Sequence, residues 1–487
     1  MIGGLGRLSR YLLAGAGVIW LFAADTPASA QNVQQLEATM KAMQAQMESL
    51  QRQVQEAKAA ASAAQAAAGT GEALDLKIKW KGAPELSSGD GKFKFKVRGR
   101  LQGDYNAIDQ DFDITGRPDV NAAELRRARL GVEGVVFYTV EYKFEVDFAN
   151  DEAAIKDAYL EYTGLADGLG LRFGNFKTFN TIDDMTSSRF ITFMERAALV
   201  EAWGFDRQIG TAAIYAKDHF TLSAGIFGPP SATDEEWLED VKTGAARLTV
   251  APINREVNGV HQVVHLGASW RQREGAEDLR DSDFDPTDPA NDQFFRYRAR
   301  GADFHLADRF VSTPTIFDRD TFWGVEGAVI WGPWHAVGEY TQLEGEVSRL
   351  DVGSDPTYNG WYAETGWFIT GETRSYSEGE FGRIKVKNPV VGGGKGTGWG
   401  AWQIAGRYDV IDLTSKATTI VDCSICGEQA TWLIGINWWL NDYTRFQFNY
   451  NESDIKGGPL FFADGTSANA NDGANIKGFG MRAQVDW

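Results

Sequence analysis

The sequence predicts an all-β fold, a 16-stranded antiparallel transmembrane β-barrel preceded by a short N-terminal coiled-coil helix. Three observations predict it. From Lys92 to Trp487, segment after segment alternates apolar and polar side chains. Aromatic residues gather at the ends of those segments. An export signal opens the chain, and no apolar run long enough for a membrane helix follows it. An exported chain that stays in a membrane without helices must close its sheet, because an open edge leaves unpaired N–H and C=O groups facing lipid.

The export signal is read from Arg7 and Arg10, the apolar stretch Tyr11 to Ala24, and the small-x-small site Ala28-Ser29-Ala30. That order of basic, apolar and small residues marks residues 1–30 as a signal peptide cleaved after Ala30. The alternative is an uncleaved anchor, which needs about 20 apolar residues and finds too few here. Val33, Leu36, Met40, Met43, Met47, Leu50 and Val54 then alternate spacings of three and four, the a/d seam of a coiled coil. Residues 31–68 are expected to form a periplasmic coiled coil, the alternative being a lone amphipathic helix lying on the barrel. Gly69, Thr70 and Gly71 break that helix, and residues 69–91 read as a linker.

The barrel is assigned to residues 92–487. Phe93, Phe95 and Val97 alternate with Lys94, Lys96, Arg98, Arg100, Gln102 and Asp104. Tyr142, Phe144, Val146 and Phe148 oppose Glu141, Lys143, Glu145 and Asp147. Met481, Ala483, Val485 and Trp487 oppose Arg482, Gln484 and Asp486. One face meets lipid and the other the lumen. The mean hydropathy is on the polar side; a barrel permits that because only alternate residues touch lipid. A soluble β-sandwich also alternates, but it has fewer long strands and no aromatic girdles such as Trp331, Trp334, Trp438, Trp439 and Tyr443 would make.

Short connections at Phe137 to Thr139, Lys217 to His219, Gly332-Pro333 and Asn441-Asp442 are expected on the periplasmic side. Longer ones are expected outside: Ile108 to Ala122, Thr178 to Asp206, Pro229 to Val241, Gln272 to Asp320, Leu413 to Gly427 and Ser453 to Gly473. A first count gives about seventeen segments, which breaks the even rule for bacterial barrels. Because Gly332-Pro333 must be a periplasmic turn, Phe294 to Phe304 belongs inside the outer excursion, and sixteen strands remain. A barrel of that size leaves an aqueous channel.

No catalytic constellation is present in the sequence: there is no Gly-x-Ser-x-Gly elbow and no His-Glu-x-x-His helix. An enzyme is not expected, nor a cofactor, a metal or a nucleic-acid partner. The five histidines are scattered, and His265 and His335 read as polar wall residues. Cys423 and Cys426 read as a local disulfide in a surface loop, since a zinc site would want four ligands and a redox motif a strand-to-helix setting. The chemistry left is electrostatic.

Positive charge is concentrated in three places: Lys94, Lys96, Arg98 and Arg100 on one strand face; Arg127 and Arg129 on one face, with Arg126 on the other; and Arg296, Arg298 and Arg300 at every second position within the outer excursion. Guanidinium groups in series can replace the hydration shell of an anion with paired hydrogen bonds. The plainer reading is solvated loop charge, or pairing with lumen acids such as Asp147, Asp157, Glu161, Glu339 and Glu372. The formal net charge of −19 points to cations, but much of the acid lies in outer-loop stretches such as Asp234-Glu235-Glu236 and Asp278 to Asp288. Local rings, not the total, set a pore field.

At these residues the sequence resembles the phosphate-selective porin O and P family. The resembling segments are RGRLQGDY from Arg98, ELRRARLGVEG from Glu124, YKFEVDFA from Tyr142, IKDAYLEYTGL from Ile155, GNFKTFN from Gly174, SSRFITFMERA from Ser187, GPWHAVGEYTQ from Gly332, WQIAGRYDVIDL from Trp402 and GFGMRAQVDW from Gly478. The resemblance implies a homotrimer of sixteen-stranded barrels in the outer membrane. It also implies an arginine ladder, a lysine-rich vestibule, and loops three and five folded inward. On the count above, Thr178 to Asp206 is loop three and carries Arg189 and Arg196, and Gln272 to Asp320 is loop five and carries Arg296, Arg298 and Arg300. Family members tend to show Thr-Pro-Phe after Gly174-Asn175-Phe176-Lys177, where this chain has Thr178-Phe179-Asn180, so a different course into the lumen stays open.

The functional expectation is a water-filled, anion-preferring pore for passive uptake of phosphate or related oxyanions, set in outer-membrane lipid. The alternatives are a general or cation-leaning diffusion pore, and a structural barrel that tethers the envelope through its coiled coil.

Overall fold

The computed structural model describes residues 76–228, 242–275, 295–315, 317–346, 355–390, 398–415, 426–461, 467–468 and 470–487, with six positions between 41 and 55. The chain divides into two units, Met1–Leu74 and Asp75–Trp487. In the first, Lys41, Ala45, Glu48, Ser49, Arg52 and Gln55 are helical and exposed. None belongs to the heptad seam, whose residues lie outside the described ones, as does the signal peptide.

In the second unit sixteen strands close one sheet. They are β1 (Lys94–Asp109), β2 (Val120–Val136), β3 (Val140–Asp147), β4 (Ala154–Ala166), β5 (Leu169–Lys177), β6 (Arg207–Lys217), β7 (Phe220–Phe227) and β8 (Lys242–Val257). The second half comprises β9 (Val260–Glu274), β10 (Arg319–Trp331), β11 (Trp334–Glu346), β12 (Thr357–Phe368), β13 (Ala401–Asp412), β14 (Glu428–Asn441), β15 (Thr444–Lys456) and β16 (Asn475–Asp486). Each pairs antiparallel with its sequence neighbours, and β16 returns to pair β1 from Lys477 with Asp109 to Asp486 with Arg100. Closure removes the sheet edge that lipid would not tolerate.

The alternation places side chains as expected. On β1, Leu101 and Tyr105 are exposed while Arg98, Arg100, Gln102 and Asp104 are buried in the lumen. On β16, Met481 and Val485 face out, and Arg482, Gln484 and Asp486 face in. Trp334 stacks on Trp367 and Trp402 on Trp438, both at 5.1 Å, along the periplasmic rim. Trp439 departs from the expected girdle: it turns inward and packs on Phe368 at 5.4 Å.

The short turns follow turn chemistry. Asn258 and Gly259 both have positive φ between β8 and β9, the requirement of a tight hairpin. Pro252 is tolerated inside β8 because the register shifts there, between Val250 and Ile253. The last periplasmic turn falls at Asp442-Tyr443, one residue beyond the expected Asn441-Asp442.

Three findings differ from the sequence reading. The span read as a linker contains a β-hairpin, Leu76–Lys81 with Ala83–Ser88, which joins β1 by pairing Glu85 with Lys96 and Ser87 with Lys94. Its alternating Leu76, Ile78 and Trp80 against Lys77, Lys79 and Lys81 is the same period-two signal the barrel carries. Secondly, the connection after β12 lies on the periplasmic side, and its stretch 372–384 folds into the barrel. There Arg374 donates to the carbonyl of Phe190 in loop three at 2.6 Å. Thirdly, β10 carries apolar side chains on both faces, although Asp320 and Glu326 also point inward. Phe322 and Ile330 point inward and are fully buried, because that half of the lumen is filled by loops rather than water.

Those fillers are loops three and five. Loop five carries a two-stranded ribbon, Arg298–Arg300 with Arg309–Ser312. It packs Tyr297 on Trp203 of loop three and on Tyr358 of β12, sets Phe304 against Gly478 and Gly480 of β16, and buries Phe310 and Phe317. The open passage is left beside β1 to β6.

Candidate functional site

Loop three is built to cross the lumen. Phe179, which stands where the resembling family tends to have proline, packs on Phe176 at 6.2 Å and Phe227 at 6.0 Å, and so anchors the loop where it leaves the wall. Asn180 then bonds back to Thr178 and across to Asp184. Further along, the wall side chains hold the loop by its carbonyls. Gln484 donates to Arg189, Arg445 to Ile191, Asn437 and Gln447 to Thr192, Arg482 to Met194, and Arg407 to Glu195. A loop tied by its main chain on one side is free to present its side chains to the other.

What it faces is strongly basic. The main cavity holds about 1550 Å³ of open space. Among the described residues its lining has nine arginines and three lysines against Asp157, Asp184, Asp206 and Glu380. Of the residues singled out from sequence, it gathers Arg98, Arg100, Arg127, Arg129, Arg189 and Arg196.

The pairing is uneven, and that leaves a net positive field. Glu145 is shared by Arg98, Arg100 and Arg129 at 3.3, 3.3 and 3.1 Å. Arg129 also meets Asp147 at 2.7 Å, and Arg98 also meets Glu133. Glu195 of loop three is shared by Arg126 at 2.8 Å, Arg127 at 3.6 Å and Arg482 at 2.6 Å. Burial would raise the Glu195 carboxyl; the surrounding guanidiniums outweigh it and hold the group well below the usual carboxylate range. Arg196 is positioned differently. Its guanidinium donates to the carbonyls of Asp183, Asp184 and Thr186 at 2.8, 3.2 and 2.6 Å. Carbonyls fix its geometry without cancelling its charge. Arg100 donates to the hydroxyl of Ser188, which brings a neutral hydroxyl of loop three to the same place.

Arg126 corrects the sequence reading. Strict alternation puts it on the face opposite Arg127 and Arg129, but it lines the cavity with them. Gln102 pairs with Arg127 and Gly103 with Leu125, so Arg126 is the extra residue of a bulge. A bulge re-aims one side chain. Leu125 and Leu130 keep the lipid face, and three arginines share the lumen.

The loop-five row is only partly at the passage. Arg298 and Arg300 share one face of the ribbon, as their spacing predicts. Arg300 lines the outer part of the passage with Arg126 and Arg127, and pairs with Glu201 at 3.2 Å. Arg296 and Arg298 are not among the residues lining either part. Burial, then Arg309 and Arg296, lower the Arg298 guanidinium to about 10.

Lys94 and Lys96 lie at the periplasmic end of β1, outside the main cavity. The register puts Lys77, Lys79 and Lys81 of the hairpin on their face, since Lys79 is opposite Glu85 and Glu85 opposite Lys96. Lys77, Lys79 and Lys81 were not singled out from sequence; their alternation with apolar residues was the available signal. Cys426 is disulfide-bonded, and Cys423 lies outside the described residues. His265 is a wall residue bonded to Glu326 at 3.0 Å and to Tyr376 of the periplasmic insert at 2.7 Å.

A closed sixteen-stranded barrel with lipid-facing aromatics and a water-accessible lumen narrowed by inward loops defines an outer-membrane porin. The phosphate-selective porin O and P profile matches residues 95–487, and the chain belongs to that family. A protein of uncharacterised function from Caulobacter vibrioides is 32% identical over 398 residues, covering 78% of this chain and 72% of that one. Porin O of Pseudomonas aeruginosa is 28% identical over 416 residues, covering 78% of this chain and 87% of its own. Among solved structures, an anion-selective porin from Comamonas acidovorans aligns with a TM-score of 0.48 at 11% identity, over 81% of this chain and all of that one.

Proposed function

We propose that the passage beside loop three is an anion-preferring path for passive uptake of phosphate or related oxyanions. The observation that carries this reading is Arg196, a charged guanidinium held by three carbonyls and aimed into a lining where basic groups outnumber acids threefold. In a narrow wet pore such groups repel one another, and a passing anion relieves that repulsion. Planar guanidiniums also match the oxygens of a tetrahedral oxyanion. The net charge of −19 does not by itself decide the passage, since local rings rather than the total set a pore field. The barrel works as a homotrimer in outer-membrane lipid, and residues 31–68 form a periplasmic coiled coil that supports it. Lys77, Lys79, Lys81, Lys94 and Lys96 make the inner vestibule.

Planar-bilayer recording of the whole chain in a potassium chloride gradient, with phosphate titrated against chloride, tests the path. A reversal potential on the anion side and block of chloride current by phosphate are expected. A cation-side potential overturns the reading in favour of a cation-leaning diffusion pore.

A further inference from the structure

Loop three has a rear side as well. Where its stretch Arg189 to Thr192 meets the periplasmic insert and the wall of β13 to β16, there is a second cavity of about 400 Å³. Its free space takes a water-sized sphere, far less than the main passage offers. Among the described residues four guanidiniums line it: Arg189 from loop three, Arg374 and Arg383 from the insert, and Arg445 from β15. The carboxylates on its wall are Asp442 and Asp486.

The charges there do not balance. Asp486 serves Arg383 and, at 3.8 Å, Arg189. The Asp442 carboxylate accepts the Val386 N–H at 2.8 Å, and only its carbonyl meets Arg383. Glu364 comes within 3.8 Å of Arg374 but is bound to Arg407 at 2.8 Å. Arg445 is 1% exposed. It donates Nη1 to the Ile191 carbonyl at 2.8 Å and Nη2 to Gln484 at 3.0 Å, while its Nε has no protein acceptor. A buried charged donor without an acceptor is costly. Water would satisfy the donor and leave the excess charge; an anion does both.

We propose that this cavity is a fixed site for one small, halide-sized anion, separate from the permeation path, which clamps loop three to the periplasmic insert. The site does not rest on the selectivity of the passage, because its lining turns on Arg374, Arg383 and Arg445, none of which lines the main cavity. A chain that carries cations through the passage would still need this charge compensated.

The test is anomalous diffraction from crystals of the full chain grown with sodium bromide as the salt. A bromide peak is expected within hydrogen-bond reach of Arg445 Nε, bounded by Arg374 and Arg383. It should persist at bromide concentrations where peaks along the passage have faded, and vanish in Arg445→Gln while passage peaks stay. Should Arg445→Gln fail to assemble, Arg374→Gln is read in the same way. No peak in the cavity, a water in its place, or a peak that survives the substitution overturns the proposal. A cavity peak that fades together with the passage peaks means an adventitious ion only, and overturns it too.

Discussion

Arg126 grips Glu195 through two hydrogen bonds, 2.8 and 2.9 Å long, although strict alternation along β2 would turn its side chain to lipid. The bulge that turns it inward thus joins the barrel wall to loop three. Glu195 is shared by Arg126, Arg127 and Arg482, of which Arg482 also meets Asp104 at 2.6 Å, so the Arg126–Glu195 pair bears on how much positive charge the passage keeps. Arg126→Ala removes a cation and uncovers an acid. It should move the reversal potential toward cations and weaken phosphate block roughly tenfold, the equivalent of about 1.4 kcal/mol. Glu195→Gln should move the potential the other way. Bilayer recording of both variants checks this, and equal shifts of one sign would reduce the pair to scaffolding.

The loop-five row should matter less than its sequence pattern promises. Of Arg296, Arg298 and Arg300, only Arg300 lines the passage, and Glu201 already partners it. Replacing all three with Ala should therefore shift the reversal potential less than Arg126→Ala combined with Arg196→Ala. A larger shift from the loop-five triple would restore that row as the selective stretch.

The docking of loop five should depend on pH. Asp303 is buried against Asp409 of β13; burial, and then Asp409, push its carboxyl well above the usual range. A carboxyl raised on folding adds stability that is present below its unfolded pKa and is lost as pH rises through the folded one. Loop five should thus loosen as pH climbs from acid toward alkaline conditions. Hydrogen exchange across residues 297–312, followed against pH, should show rising exchange beyond the intrinsic trend in the native chain. The effect should be flattened in Asp303→Asn.

How much of this was legible follows from what a period can encode. Sixteen strands and the span of loop three, Thr178 to Asp206, were readable because each strand repeats every second residue and each turn interrupts it. The bulge at Arg126 was not, since one inserted residue looks like ordinary alternation with a flipped face. The inward Phe322 and Ile330 were hidden for another reason: they answer to loops that reach them from distant parts of the chain. The periplasmic insert after β12 is longer than the expected short turns, and its Tyr376, Phe381 and Arg374 give no periodic warning that they pack inside.

The oligomeric state is expected to rest on both units. The purified chain should run as a trimer by mass in mild detergent. Deleting Gln31 to Ala68 should lower its thermal resistance and leave the pore conducting. A monomer by mass would remove both the trimer and the role given to the heptad seam.

Barrel closure makes the sharpest demand on the chain end. Trp487 and Gly99 exchange main-chain hydrogen bonds of 3.1 and 3.2 Å, which seal the first strand to the last. The Trp487 ring lies over Gly99 so closely that a Cβ there would stand 2.3 Å from it. Glycine is needed because the indole occupies the space of a side chain, not because of an unusual φ. Deleting Trp487 removes both the seal and the terminal aromatic, and the chain should accumulate unassembled in the periplasm. Gly99→Val should reproduce much of that defect by displacing the ring while leaving Trp487 present. Gly103→Ala, on the same strand with open space at its Cβ position, should assemble normally. Heat-modifiable migration of outer-membrane fractions separates these outcomes. Normal assembly of both the truncated chain and Gly99→Val would show that closure depends on the β1–β16 ladder alone.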